Sequence, residues 1–272
     1  MGVSKTGTAP ASHYKRDVCV SQTSNAGFDS TTRKLCSGDG ADSAMSASDD
    51  VFSVQPQNDD TTGTMLVKNQ GGSNILAVDT TNSLVKVGAS QVATNTQEKI
   101  FAMYDFSPIA GSHYMMVAQP GLTPLNATFA WVPVVSGTGA HPPTSQDLGS
   151  IQEYLIPSYW YVSSNITIDE VRIIAGCDNY SALNFHLMSY RVIEGTGSTA
   201  GDLDNGVYNA ASGTTDPSSL SPITVGDDRI SIATLTIENA DVDAGKIILA
   251  HIENVGGTDD VTAQLILKYH IR

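Results

Sequence analysis

The chain has 272 residues, with 14 basic against 28 acidic side chains and a net charge of −14, a balance that argues against binding DNA or RNA through phosphate neutralisation. Charged residues make up only 15%, and 24 glycines and 11 prolines sit among abundant Ser, Thr, Asn and Asp, so turn formers outweigh helix formers and an all-β class is expected. No apolar run reaches the ~18 residues of a membrane helix, and the first residues lack a signal-peptide core, so the expectation is a soluble protein made in a cytoplasm and not inserted in a membrane.

Residues 1–50 carry only scattered apolar side chains, Val18, Val20, Phe28 and Leu35, in a polar background. That is too little for a core of their own and predicts an extended N-terminal arm. Lys5, Lys15, Arg16, Arg33 and Lys34 face only Asp17 and Asp29 within residues 1–36, so this arm is locally basic and suits an acidic groove on a partner protein. Cys19, Cys36 and Cys177 are too few for a disulfide framework and show no zinc spacing. Buried or idle thiols are expected, with a Cys19–Cys36 bridge as the alternative in an oxidising medium.

Residues 51–96 hold a doubled pattern: Asp60-Thr61-Thr62 then Leu66-Val67-Lys68, followed by Asp79-Thr80-Thr81 then Leu84-Val85-Lys86. Strands this short have too little apolar face to stand alone in water, so they are expected to find partner strands in other copies of the chain and to form an oligomeric β shaft. The stretch Ala77-Val78-Asp79-Thr80-Thr81-Asn82-Ser83-Leu84-Val85-Lys86-Val87-Gly88 resembles a phrase recurrent in virion appendage proteins of tailed bacteriophages, fibres and decoration proteins among them. Residues 90–97 are polar and mostly non-periodic, which marks a boundary.

Beyond it, strands are predicted at Lys99–Phe106, Ser112–Ala118, Ala127–Val135, Gln152–Val162, Ile166–Ala175, Leu183–Ile193, Ile230–Ile237, Lys246–Glu253 and Asp260–Ile271. Several alternate cleanly, as in Ile166-Thr167-Ile168 or Ile230-Ser231-Ile232, which leaves one face for a core and one for water. The spacing and long crossovers suit a jelly-roll-like β sandwich over residues 97–272. Residues 195–226, rich in Gly, Ser, Thr, Asp and Pro, read as one exposed loop. Asn165 to Arg172, Asn184 to Tyr190 and Ala240 to Lys246 are similar in texture to the sandwich heads of the same appendage proteins.

Candidate sites are few. The six histidines, His13, His113, His141, His186, His251 and His270, stand at no ligand spacing, and His251 and His270 lie on predicted strands that are candidates for neighbours. A trimer axis would gather three copies of His270 into a metal site, but ordinary strand and loop roles are the expectation. Asp202-Leu203-Asp204-Asn205-Gly206 opens like a calcium loop, yet its twelfth position is Gly213 rather than Glu, and it reads as a turn. Asp241 to Gly245 and Gly256 to Asp260 also read as turns before calcium sites. Tyr154, Tyr159, Trp160 and Tyr161 form the densest aromatic cluster, for packing rather than for stacking on sugars. No hydrolase elbow, zincin helix or phosphate loop is present, so no catalytic, cofactor-binding or metal-binding residues are predicted.

The resemblance covers shaft and head and implies a non-enzymatic structural protein of a tailed-phage virion. It would be a homotrimeric surface appendage, a capsid decoration or head fibre, bound to other virion proteins through the arm. A tail fibre or receptor-binding adhesin touching a host glycan or protein is the alternative.

Overall fold

The computed structural model describes residues 18–20 by their backbone, and residues 28–37, 41–88, 90, 92–118, 135–147, 156–179, 181–194, 201–212, 221–256 and 260–272 with their side chains. The chain forms two compact units, residues 1–94 and 95–272. Both are built from antiparallel strands, so the class is all-β.

The first unit holds two four-stranded sheets. One runs β1 (Val18–Val20), β2 (Arg33–Ser37), β3 (Asp42–Ala47) and β4 (Phe52–Val54) in order. Much of the expected arm is therefore sheet, while residues 1–17 and 21–27 lie outside the described residues. Among the described residues of this sheet, Cys36 is the buried apolar side chain, in keeping with the sparse apolar content. Cys36 is disulfide-bonded, and Cys19 stands opposite it in the β1–β2 register. A covalent tie does for this sheet what a core does elsewhere.

The other sheet runs β5 (Met65–Lys68), β6 (Asn74–Asp79), β7 (Leu84–Val87) and β8 (Val92–Ala93). Its strands pair within one chain, which corrects the expectation that they find their partners in other copies. The two Asp-Thr-Thr phrases explain why. Thr80 N donates to Thr61 O at 2.9 Å, Thr61 N donates to Thr80 Oγ1 at 3.1 Å, and the Thr64 and Thr80 hydroxyls bond at 2.7 Å. The β6–β7 turn is closed by Asn82 N donating to Asp79 Oδ1 at 3.0 Å.

The second unit is a sandwich of two sheets. Its five-stranded sheet has the order β17 (Arg229–Thr234), β13 (Ile166–Cys177), β21 (Val261–Ile271), β9 (Thr96–Phe106), with β19 (Asp241–Val242) also on β13. The larger sheet has the order β11 (Val135–Thr138), β10 (Ser112–Met115), β20 (Ile247–Asn254), β14 (Ser181–Val192), β15 (Leu203–Ala211), β18 (Thr236–Ile237). β12 (Trp160–Tyr161) joins it on β20 and β16 (Ile223–Val225) joins it on β14. Phe101, Ile173 and Leu265 from one sheet meet Phe185, Leu187 and Ile252 from the other in one core.

Two differences from the sequence reading matter. Residues 195–226 are not one loop, because β15 and β16 lie within them. The stretch Asp202 to Gly206, expected as a turn, leads into β15 and forms a bulge there. Asn205 takes φ 50° and the register with β14 shifts between Ser189 and Arg191. The turn-forming residues mislead because a bulge uses the same chemistry as a turn. The expected strand at 127–134, Tyr154, and residues 195–200 and 213–220 lie outside the described residues.

The centre of the larger sheet is buried on both faces. β20 is buried at every position, whereas β21 alternates. Met115, Met188, Tyr190, Leu203, Ile247 and Leu249 form a second apolar cluster on the face turned away from the main core.

Candidate functional site

Two features stand out from the frame just described, one in each unit. In the first unit, cross-strand pairing places Met65 beside Val78 and Val85, and Val67 beside Leu76, Val87 and Val92. Residues directly opposite in antiparallel strands share a face, so all seven lie on one side of the β5–β8 sheet. Met65, Val67, Val85, Val87 and Val92 are each about 40% exposed. The opposite face carries Asp79, whose carboxylate is buried and receives Lys86 Nζ at 2.6 Å and Asn82 Nδ2 at 2.9 Å. Desolvation pushes the Asp79 pKa up, but the hydrogen bonds from Lys86 and Asn82 outweigh it and hold the group at about 2.

In the second unit, four histidines converge on the outer face of the larger sheet. His186 on β14 and His251 on β20 are directly paired, and His113 on β10 stands opposite Glu253. His141 comes from residues 139–147, which pass over this face. The His113 and His186 rings lie 5.4 Å apart edge to face, and those of His141 and His186 lie 5.2 Å apart. His141 Nδ1 and His186 Nε2 share a hydrogen bond at 3.0 Å. Gly139 O and His113 Nε2 are 2.8 Å apart, and Ser136 Oγ lies 2.8 Å from His251 Nδ1. Glu253 Oε2 accepts from Asn184 Nδ2 at 2.9 Å and lies 3.9 Å from His113 Nε2.

His113, His186 and His251 are fully buried. Desolvation lowers their pKa values, to about 2 for His186 and about 3 for His251, with neighbouring rings adding repulsion. Desolvation lowers His113 as well, partly opposed by Glu253. These three rings are therefore neutral at pH 7. Among the described residues, His113 Nδ1, His141 Nε2, His186 Nδ1 and His251 Nε2 have no hydrogen-bond partner, and no three His, Cys, Asp or Glu side chains converge so as to hold a metal ion.

The residues singled out in the sequence fall elsewhere. His270 lies on β21, in the other sheet from His251, and its Nδ1 is 2.9 Å from Asp169 Oδ1. Asp241 and Asp243 accept from the Arg272 guanidinium at 3.0 and 3.2 Å. Asp204 pairs with Arg191. Of the aromatic cluster, Trp160 packs on Tyr269 with ring centroids 4.9 Å apart, Tyr159 packs against the second apolar cluster, and Tyr161 is 62% exposed. Cys177 is a buried thiol. The acidic turn at 256–260 lies partly outside the described residues.

The histidine layer was missed because its members are far apart in the chain. Its legible half was the i, i+2 spacing of Asn184 with His186 and of His251 with Glu253, each of which puts two polar side chains on one face of an otherwise apolar strand.

No protein-family model matches the chain, and no curated protein matches it in sequence. Among solved structures, it is similar at 10% identity and TM-score 0.31 to an aminopeptidase from the marine sediment archaeon Thaumarchaeota archaeon, over 74% of this chain and 41% of that one. It is similar at 10% identity and TM-score 0.26 to a selenomethionine-labelled alpha-amino acid ester hydrolase, over 66% of this chain and 32% of that one. The chain thus spans less than half the length of either, and neither likeness carries an activity over to it. Among the described residues, no helix is long and apolar enough to cross a membrane.

Proposed function

We propose that this chain is a non-enzymatic structural protein of a tailed-phage virion, a homotrimeric surface appendage of the capsid-decoration or head-fibre kind. The observation that carries the reading is the open apolar face of the β5–β8 sheet. Seven aliphatic side chains on one side of a four-stranded sheet form a surface that copies of the same chain are suited to cover. In this reading the sheet assembles the trimer through its face rather than through shared strands. The basic residues near the start of the chain attach it to an acidic partner on the particle, and the jelly-roll-like sandwich is displayed to solvent.

Ile230 and Ile232 add a second apolar surface. They lie on β17, at the edge of the five-stranded sheet, and are 74% and 69% exposed. A tail-fibre or adhesin role has one observation in its favour. Exposed Tyr161 lines a groove of about 600 Å³ with Arg191 and Glu194, a combination suited to stacking on and hydrogen-bonding a sugar.

Two measurements test the proposal. Light scattering on the purified chain should give three times the 28.6 kDa of one copy, and a single-chain mass at micromolar concentration would remove the trimer. Phage particles lacking the protein should still adsorb to host cells. If adsorption collapses and the purified protein competes with infection, the adhesin reading replaces the decoration reading.

A further inference from the structure

The bonds that hold residues 139–147 to the outer face of the larger sheet divide into two groups. At the far end they include phenol and backbone bonds. Tyr208 OH donates to Pro142 O at 2.8 Å, Tyr190 OH donates to Pro143 O at 3.0 Å, and Gly206 N donates to Thr144 O at 2.8 Å. Gln146 and Leu203 exchange two backbone bonds at 2.7 and 3.0 Å. At the near end every side-chain bond involves a histidine, through the His113–Gly139 and His141–His186 contacts, with Ser136–His251 just before them.

The His141–His186 bond exists only while one of its two nitrogens is unprotonated, because an imidazolium offers no acceptor. Two imidazoliums would instead repel each other with their rings 5.2 Å apart. Among the described residues, the titratable groups facing this layer are His113 from β10, His251 and Glu253 from β20, Tyr190 from β14 and Tyr208 from β15. Glu253 is the one carboxylate among them, and Asn184 already engages it. One anion does not offset several cations in a buried site.

We infer that the layer of His113, His141, His186 and His251 is an acid-operated latch. While His113, His186 and His251 are uncharged, residues 139–147 stay on the outer face of the sandwich, and protonation of these three rings releases that segment and uncovers Tyr190 and Leu203 beneath it. The sign follows from the depressed pKa values. A histidine neutral in the closed state and ordinary in the open one favours closure above pH 6.5 and loses that contribution as pH falls from 6.5 toward its closed-state value. Between pH 7.5 and 5.5 each such ring raises the open-to-closed ratio about tenfold, so His186 and His251 together give about a hundredfold.

Hydrogen–deuterium exchange on the full chain, in buffer with a chelator, tests this. After correction for the intrinsic pH dependence of exchange, the amides of Leu203, Gly206 and Gln146 should lose about a hundredfold in protection between pH 7.5 and 5.5. Those of Ile173 and Leu265 in the main core should keep theirs. His186→Gln, which retains an amide within reach of His141 but does not titrate, should cut the loss about tenfold. If that variant fails to fold, the wild-type comparison stands by itself. Unchanged protection at Leu203, Gly206 and Gln146, or an equal loss at Ile173 and Leu265, would overturn the latch.

Discussion

Gly206 is a position where one added methyl group has nowhere to go. A Cβ there would lie 2.7 Å from Tyr190 Cε1 and 2.8 Å from both Cα and O of Thr144, so the backbone of residues 139–147 would have to lift. Gly206→Ala should cost about 1–3 kcal/mol, read from the denaturant midpoint of the second unit, and should raise amide exchange at Gln146. Asp79 is the matching test in the first unit. Asp79→Ala leaves Lys86 and the Asn82 amide without their acceptor and should cost roughly 1–3 kcal/mol. Because the carboxyl is held at about 2 against an ordinary 3.8, its contribution is complete above pH 3.8 and is lost as pH falls toward 2. A pH titration of sheet stability should show that window, and Asp79→Ala should flatten it. At this scale the sequence was partly readable. The Asp-Thr-Thr phrases sit at turns, because Asp and Thr close turns through their own side chains. The close approach at Gly206 depended on a segment some sixty residues away and left no local signal.

Among the elements, β5–β8 offer the sharpest test, because all the apolar side chains of one face are named by the pairing register. Val78→Asp and Val85→Asp place a carboxylate in the middle of that face without touching the Asp79–Lys86 pair on the other. Each should dissociate the proposed trimer to single chains in light scattering while the second unit keeps its circular dichroism and melting profile. If the mass stays unchanged, the face is not an interface. Strand existence was well read from alternation at β13, β14, β20 and β21, where apolar residues recur at every second position or in unbroken runs. It failed at β15, whose Asp, Asn and Gly residues are tolerated because a bulge and the covering segment satisfy them. At β5–β8 the strands themselves were read correctly, and what differed was where they find their partners. Short strands did imply missing partners, but the backbone partners lie in the same chain and the open face is what remains.

The chain divides at residue 94, and the described residues of the first unit bury few apolar side chains whereas those of the second form a large core. A fragment of residues 95–272 should therefore fold alone, with one cooperative thermal transition, and a fragment that melts without cooperativity would show that the sandwich depends on the first unit. No equivalent independence is expected of residues 1–94, where among the described residues Cys36 in its disulfide and Ala77 are the buried apolar side chains. The two sheets of the sandwich differ in how many faces they bury, and this sets how freely each strand's sequence can drift. Every residue of β20, from Ile247 to Asn254, is enclosed, so a saturation survey of folding should find eight consecutive intolerant positions there. Along β21 the same survey should trace a comb, with Val261, Ala263, Leu265 and Leu267 rejecting polar replacements while Thr262 and Gln264 between them accept almost any residue.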